Sequence, residues 1–211
     1  MDADVVDELL SARSLYLLLG RVFLKEVDRE FYSLLRSDMM ACALEHLQAG
    51  LGGDGASEDD VLERLAVEYS ALFIQPGAFP PYESVFKKGR HLAEPADQVE
   101  IIYQLNGFDY RSQWPSLFPD HIGLELNFVA SLLDSQVKAL EKGLGEEAKR
   151  LENTRVEFMK KRLCQWASQY MEKIAEATSD PFYNPFITFA QSFLESEAES
   201  VLARSGEVAN V

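Results

Sequence analysis

Asp120-His-Ile-Gly-Leu-Glu-Leu-Asn-Phe-Val-Ala-Ser-Leu-Leu-Asp-Ser-Gln-Val-Lys-Ala-Leu140 decides the fold. Ile122, Leu126, Val129, Leu133, Val137 and Leu140 recur at three- and four-residue intervals, and Leu124, Phe128 and Leu132 form a second apolar row beside them. This spacing is that of a helix with two buried faces, which needs several neighbours to cover it. The same period continues outward in both directions. Val5, Val6, Leu9, Leu10, Leu15 to Leu19, Val22 and Phe23 predict a central helix apolar on most sides. Asp28 is placed to cap a segment buried through Phe31, Leu34, Leu35, Met39, Ala43, Leu44 and Leu47, with a break near Ser37-Asp38. Val61, Leu62, Leu65, Tyr69, Leu72 and Phe73 predict a helix that stops before Pro76-Gly77, and Val99, Ile102 and Tyr103 a short one ended by Asn106-Gly107. Val156, Met159, Leu163, Trp166, Tyr170 and Ile174 predict one further helix. Asn184-Pro185 reads as the cap and first-turn proline of a last one carrying Phe186, Phe189, Ala190, Phe193 and Leu194. No alternating run of strand length occurs, so the chain is expected to be all-α, a compact helical bundle.

Ala49 to Asp60, rich in Gly and Asp, is the clearest surface loop, and periodicity fades after about Ala198 into an expected frayed tail. The stretch 107–119, with two prolines and little periodicity, predicts a hinge between an N-terminal lobe, 1–106, and a C-terminal lobe, 120–211. Twenty Lys plus Arg against thirty-five Asp plus Glu leave a formal charge of −15. Such a surface repels nucleic acid and anionic membrane and attracts cationic partners. The N-terminus is acidic where a secretory signal would be basic, and the longest apolar run, Leu15 to Leu19, is too short to span a bilayer, so the expected location is the cytoplasm with no membrane insertion.

Sites for cofactors find little support. Cys42 and Cys164 lie in different predicted helices without a Cys-x-x-Cys spacing and read as small core residues. A di-iron bundle needs Glu-x-x-His, which the chain lacks, and His46, His91 and His121 do not make a zinc pattern. Gly50 to Ser57 has the glycine spacing of a phosphate loop, but Ala56 stands where lysine belongs and four acidic residues surround it, so it reads as a solvated loop. No metal and no cofactor are expected.

Two motifs remain. Phe79-Pro-Pro-Tyr-Glu-Ser-Val-Phe86 is stiff and aromatic on both sides of a turn, so it can hold an apolar peptide with little ordering cost, or it can be a turn pinned to the core by its own rings. In Phe118-Pro-Asp-His-Ile-Gly-Leu-Glu-Leu126, Asp120 sits where a helix N-cap belongs, with His121 starting the helix and Glu125 one turn later. Together with Glu68 to Phe86, this motif resembles the TorD/DmsD/NarJ family of cytoplasmic chaperones, over nearly the whole chain in length and helix pattern but specifically at these two motifs.

The resemblance implies a non-enzymatic chaperone for a molybdopterin oxidoreductase exported by the twin-arginine route. It would bind the signal peptide or the apo catalytic subunit and delay export until cofactor is inserted. It also implies client-binding roles for Pro80, Pro81, Tyr82, Glu83, Ser84, Phe86, Asp120 and His121, and for Glu125. Many relatives carry tryptophan where this chain has Tyr82 or Phe86. As the resemblance implies, the hinge near Gly107 to Phe118 permits a homodimer by lobe exchange, and monomer and exchanged dimer both stay open. A twin-arginine signal pairs two arginines with an apolar stretch. Glu83, Asp120 and Glu125 are expected to meet the arginines, and Leu72, Phe73, Phe79, Tyr82, Phe86 and Phe118, beside Pro119, the apolar part. Two other classes stay open: a helical adaptor whose Pro-Pro loop is packed internally, and an enzyme using His121 as general base oriented by Asp120 or Glu125.

Overall fold

The structure, a computed structural model, describes residues 3–38, 40, 44–52 and 56–208. The expectations for Met39, Cys42, Ala43 and the centre of the glycine loop lie outside the described residues. Among those described, the regular elements are helices: α1 (Ala3–Leu24), α2 (Arg29–Leu35), α3 (Glu45–Gln48), α4 (Glu58–Phe73), α5 (Glu83–Lys88), α6 (Glu94–Leu105), α7 (Ile122–Glu141), α8 (Gly145–Lys161), α9 (Ala167–Ala177) and α10 (Tyr183–Val208). Tight 3-10 turns follow α3 at Ala49–Leu51 and α8 at Leu163–Gln165. The chain is all-α, as its apolar period requires. No described helix is long and apolar enough to cross a membrane.

The residues group into two compact units, one of Met1–Leu24, Pro81–Ala167 and Glu195–Val211, the other of Lys25–Pro80 and Ser168–Leu194. In the first, α7 is the central helix and packs against α1 and α8. Both its apolar rows are buried: Ile122, Leu126, Val129 and Leu133 on one, Leu124, Phe128 and Leu132 on the other. Two glycines let α1 approach. A Cβ on Gly123 would stand 2.6 Å from Leu24 Cγ and 2.9 Å from Gly20 O, and one on Gly20 2.4 Å from Asn127 Oδ1. Larger residues there would force the helices apart and forfeit contact along the crossing.

The stretch 107–119 does not divide lobes as expected; it lies inside the first unit. Gly107 takes the left-handed conformation expected of it, φ 68°, and the residues after it return onto α6. Phe108 and Tyr110 pack their rings against Tyr103, 4.8 and 5.8 Å between centroids. The Tyr110 hydroxyl donates to Glu100 at 2.9 Å, and the Arg111 guanidinium grips the same carboxylate through both of its terminal nitrogens. Aromatic burial and a bidentate ion pair hold this segment where composition alone suggests freedom.

In the second unit, Leu65, Tyr69, Leu72 and Phe73 of α4 are buried, and Phe73 packs edge-on against Tyr69 and Tyr183. Asp28 caps α2 as expected, accepting from Phe31 N at 2.9 Å, and α2 ends at Leu35, just before the expected break. Leu34, expected to be buried, is 46% exposed: it falls just outside the arc of α2 that Phe31, Tyr32 and Leu35 bury. The surface loop starts later than expected. Gly50 and Leu51 are buried, with Leu51 O taking the Tyr32 hydroxyl at 2.9 Å and Gly50 seated so closely that a Cβ would stand 2.4 Å from Phe182 N.

Three helix limits differ from the sequence expectation. The single helix expected through Val156 and Ile174 breaks at Arg162, whose backbone (φ −124°, ψ −87°) leaves the helical region. The cap before the last helix is Asp180, not Asn184. Its Oδ1 accepts from Phe182 N and Tyr183 N at 2.8 and 2.9 Å, while Asn184 donates its amide to the carbonyls of Ala175 and Thr178. The last helix runs to Val208 and does not fray at Ala198.

Candidate functional site

Two prolines keep Phe79 to Pro81 out of any helix, so the Pro81 carbonyl takes its partner from a segment distant in sequence. Ile122 N donates to it at 2.8 Å, and Glu83 N donates to Asp120 O at 3.0 Å. These bonds form an antiparallel bridge between Tyr82 and His121. The two sequence motifs are thus one structure, joined at the first residues of α5 and α7.

Each helix start is capped in an unexpected way. His121, not Asp120, is the N-cap of α7, and its Nδ1 accepts from Gly123 N at 3.1 Å. Asp120 reaches across the bridge and caps α5 instead, its Oδ2 accepting from Ser84 N at 2.7 Å. Tyr82, the residue before α5, has no side-chain oxygen placed to do so. Nδ1 must be unprotonated to accept, and burial agrees: it pushes His121 down to about 3. The imidazole is neutral and already engaged.

The carboxylates are likewise occupied. Glu83, Asp120 and Glu125 are all 0% exposed. Glu83 pairs through one oxygen with Arg162 at 2.6 Å and through the other with Lys87 at 2.7 Å. Arg162 also donates to Pro95 O at 3.2 Å and to the Gln98 side chain, and these bonds accompany the break after α8. Glu125 Oε2 accepts from the Trp166 indole at 3.3 Å. Burial pushes the Glu125 carboxyl well up, the neighbouring Glu83 adds to this, and the Trp166 bond opposes it. The expectation that Glu83, Asp120 and Glu125 face a ligand's arginines is therefore corrected: capping and ion pairing draw all three inside. Ser84 Oγ, Asp120 Oδ1 and Glu125 Oε1 lie buried without a hydrogen-bond partner, a desolvation cost retained at this junction.

What the junction presents outward is aromatic. Tyr82 is half-buried, and its ring meets His121 at 4.9 Å, His91 at 4.8 Å and Phe118 at 5.8 Å. His91 is exposed and lies 5.3 Å from Phe118. Burial, with the Asp120 charge behind it, pushes the Tyr82 hydroxyl up to about 12, so it stays protonated and able to donate. Phe86, half-buried, packs its ring 5.9 Å from Trp166, and Pro119 is buried. His91 escaped sequence reasoning, since a single histidine after Gly89 has no spacing to distinguish it.

Leu72, Phe73, Phe79 and Pro80 belong to the second unit. There Leu72 and Phe73 are core residues, and the Phe79 backbone is held at both ends, its N–H by Leu72 O and its carbonyl by the Tyr170 hydroxyl, each at 2.8 Å. Cys164 is half-buried, and burial pushes its thiol up to about 11, which suppresses the reactive thiolate. No group of three His, Cys, Asp or Glu among the described residues could hold a metal ion.

Residues 36–172 match the family described as nitrate reductase delta subunit. The chain is 25% identical over 224 residues to the chaperone protein TorD of Shewanella pealeana, spanning 94% of this chain and 92% of that one. A crystal structure of an Archaeoglobus fulgidus protein assigned to redox enzyme maturation superposes with a TM-score of 0.58 at 21% identity, covering 87% of this chain and 93% of that one. At that identity the likeness is one of fold.

Proposed function

The chain belongs to the nitrate reductase delta subunit family, and from that premise we propose that it is a TorD-like chaperone of redox enzyme maturation, acting without catalysis in the cytoplasm. Its client is the apo catalytic subunit of a molybdopterin oxidoreductase. By holding the client's twin-arginine signal peptide it delays export until cofactor is in place.

One observation carries this reading: the bridge between the two motifs turns Tyr82, Phe118 and His91 into a single aromatic face supported from behind by buried charge. A face held rigid by caps and ion pairs needs little ordering when an apolar segment docks. The arginines of the signal are drawn by the acidic protein as a whole, with its formal charge of −15, and not by Glu83, Asp120 or Glu125 directly. Burying on the order of 400 Å² of apolar surface yields about 10 kcal/mol. Ordering the peptide costs about 2–5 kcal/mol and lost rigid-body freedom at least ~4. The remainder, about 1–4 kcal/mol, corresponds to millimolar affinity at best, and attraction of the signal's arginines to the acidic protein adds to it, which keeps binding weak enough for a client that must be released.

His121 is poorly suited to the alternative role of general base, because it is buried, pushed down to about 3, and already accepting from Gly123 N. Co-elution tests the proposal. The chaperone should migrate with an apo molybdoenzyme catalytic subunit carrying its signal peptide and release most of it when the signal is deleted. Equal retention of both forms would transfer the reading to contacts with the enzyme body, and retention of neither would favour the adaptor.

A further inference from the structure

A groove of about 770 Å³ opens between α6 and α8. Ile101 and Leu105, one helical turn apart on α6, stand 55% and 79% exposed along it, half-buried Ile102 lies beside them, and Phe158 of α8 is buried at its base. Helix α6 already buries Ala96, Val99 and Tyr103 on its inner side, so Ile101 and Leu105 form a second apolar row that the fold leaves uncovered. Contiguous apolar surface of this kind marks a place where something docks.

The rim carries a charge unlike that of the rest of the protein. Arg150, Lys161 and Arg162 line the groove against one carboxylate, Glu157, in a chain of formal charge −15. Arg162 is spent on buried Glu83. Arg150 and Lys161 are more than half exposed, and each meets a carboxylate on its own helix, Glu147 and Glu157 respectively. Such solvent-facing pairs are weak and exchange readily for a better-placed partner.

We propose that this groove docks an amphipathic helix of another protein, with apolar residues at i and i+4 flanked by carboxylates. Two side-by-side helices offering an i, i+4 apolar pair form the surface into which a third helix lays its apolar face. The flanking carboxylates meet Arg150 and Lys161, the exposed cations. An arginine-bearing segment meets like charge at the same place, so this occupant is not the signal peptide, and the inference stands independently of the aromatic face.

Two synthetic model helices test it by fluorescence anisotropy near physiological salt. Both carry leucines at i, i+4 and i+7, one flanked by glutamates and the other by lysines. The glutamate helix should bind saturably and the lysine helix about tenfold or more weakly, as expected where like charges are set together. Leu105→Asp, exposed and so neutral to folding, should abolish binding of the glutamate helix while leaving the melting curve and the signal-peptide titration unchanged. The double variant Arg150→Glu, Lys161→Glu should reverse the preference. The proposal is overturned by equal binding of the two helices, by binding that survives Leu105→Asp, by no binding of either, or by loss of signal-peptide binding in Leu105→Asp.

Discussion

Glu83 is fully buried beside half-buried Tyr82, and buried Asp120 lies two residues from half-buried Phe118. In both motifs the carboxylate turns inward to cap a helix or hold an arginine, and the aromatic turns outward. The pairing teaches that polar residues which look like a grip for a cationic ligand can instead be the frame that holds an apolar grip in place. Changes to the frame should therefore appear as stability, and changes to the face as binding.

Arg162→Ala is the largest test of the frame. It leaves Glu83 buried with only Lys87 near it, and breaking a buried pair in this way costs about 3–5 kcal/mol. Urea denaturation should show that loss, and a loss below about 1 kcal/mol would mean that Glu83 is better hydrated than its burial indicates. Next in size, Asp120→Ala removes a charged acceptor from Ser84 N and should cost about 1.5–3 kcal/mol, with Asp120→Asn recovering part of it, by the same measurement.

Acid titration separates two of the buried titratable groups, His121 and Glu125. His121 is held down to about 3, so the unfolded chain takes up a proton that the folded chain refuses once pH falls below about 6.5, and stability is lost as pH falls. Relative to His121→Asn, which can still cap Gly123 N, the parent protein should lose about 2 kcal/mol between pH 7 and pH 5. Glu125, pushed up, has the opposite sign: its contribution is complete below its unfolded value and lost as pH rises. Glu125→Gln should therefore gain on the parent as pH rises above about 4.5. Melting curves across pH for the parent and both variants check the two signs.

The smallest stability effect belongs to the face. Phe118→Ala, on a half-buried residue, should change stability by about 1 kcal/mol or less yet weaken signal-peptide binding about tenfold. A larger loss of stability without loss of binding would return Phe118 to the frame.

Periodicity made the helices legible because the spacing of Ile122 to Leu140 determines which faces of α7 are buried, and Asp28 and Gly107 were legible because a cap and a left-handed turn depend on a few adjacent residues. Partners distant in sequence were not. Asp120 caps a helix that begins thirty-seven residues earlier, at Glu83. Nothing local distinguishes it from a cap for α7, which His121 supplies instead. Arg162 reads as a surface residue of an amphipathic helix until Glu83 is seen against it. Ile101 and Leu105 fit an apolar count but are exposed, since that count does not reveal whether a neighbour is present to cover them.

The most direct test is titration of a synthetic twin-arginine signal peptide into the parent protein and the Tyr82→Ala and Phe118→Ala variants, with melting temperatures recorded for each. The account predicts salt-sensitive, saturable binding in the parent, weakened in both variants while their melting stays close to the parent's. It would be contradicted by no binding to the parent at peptide concentrations of about several millimolar, or by variants that bind as the parent does.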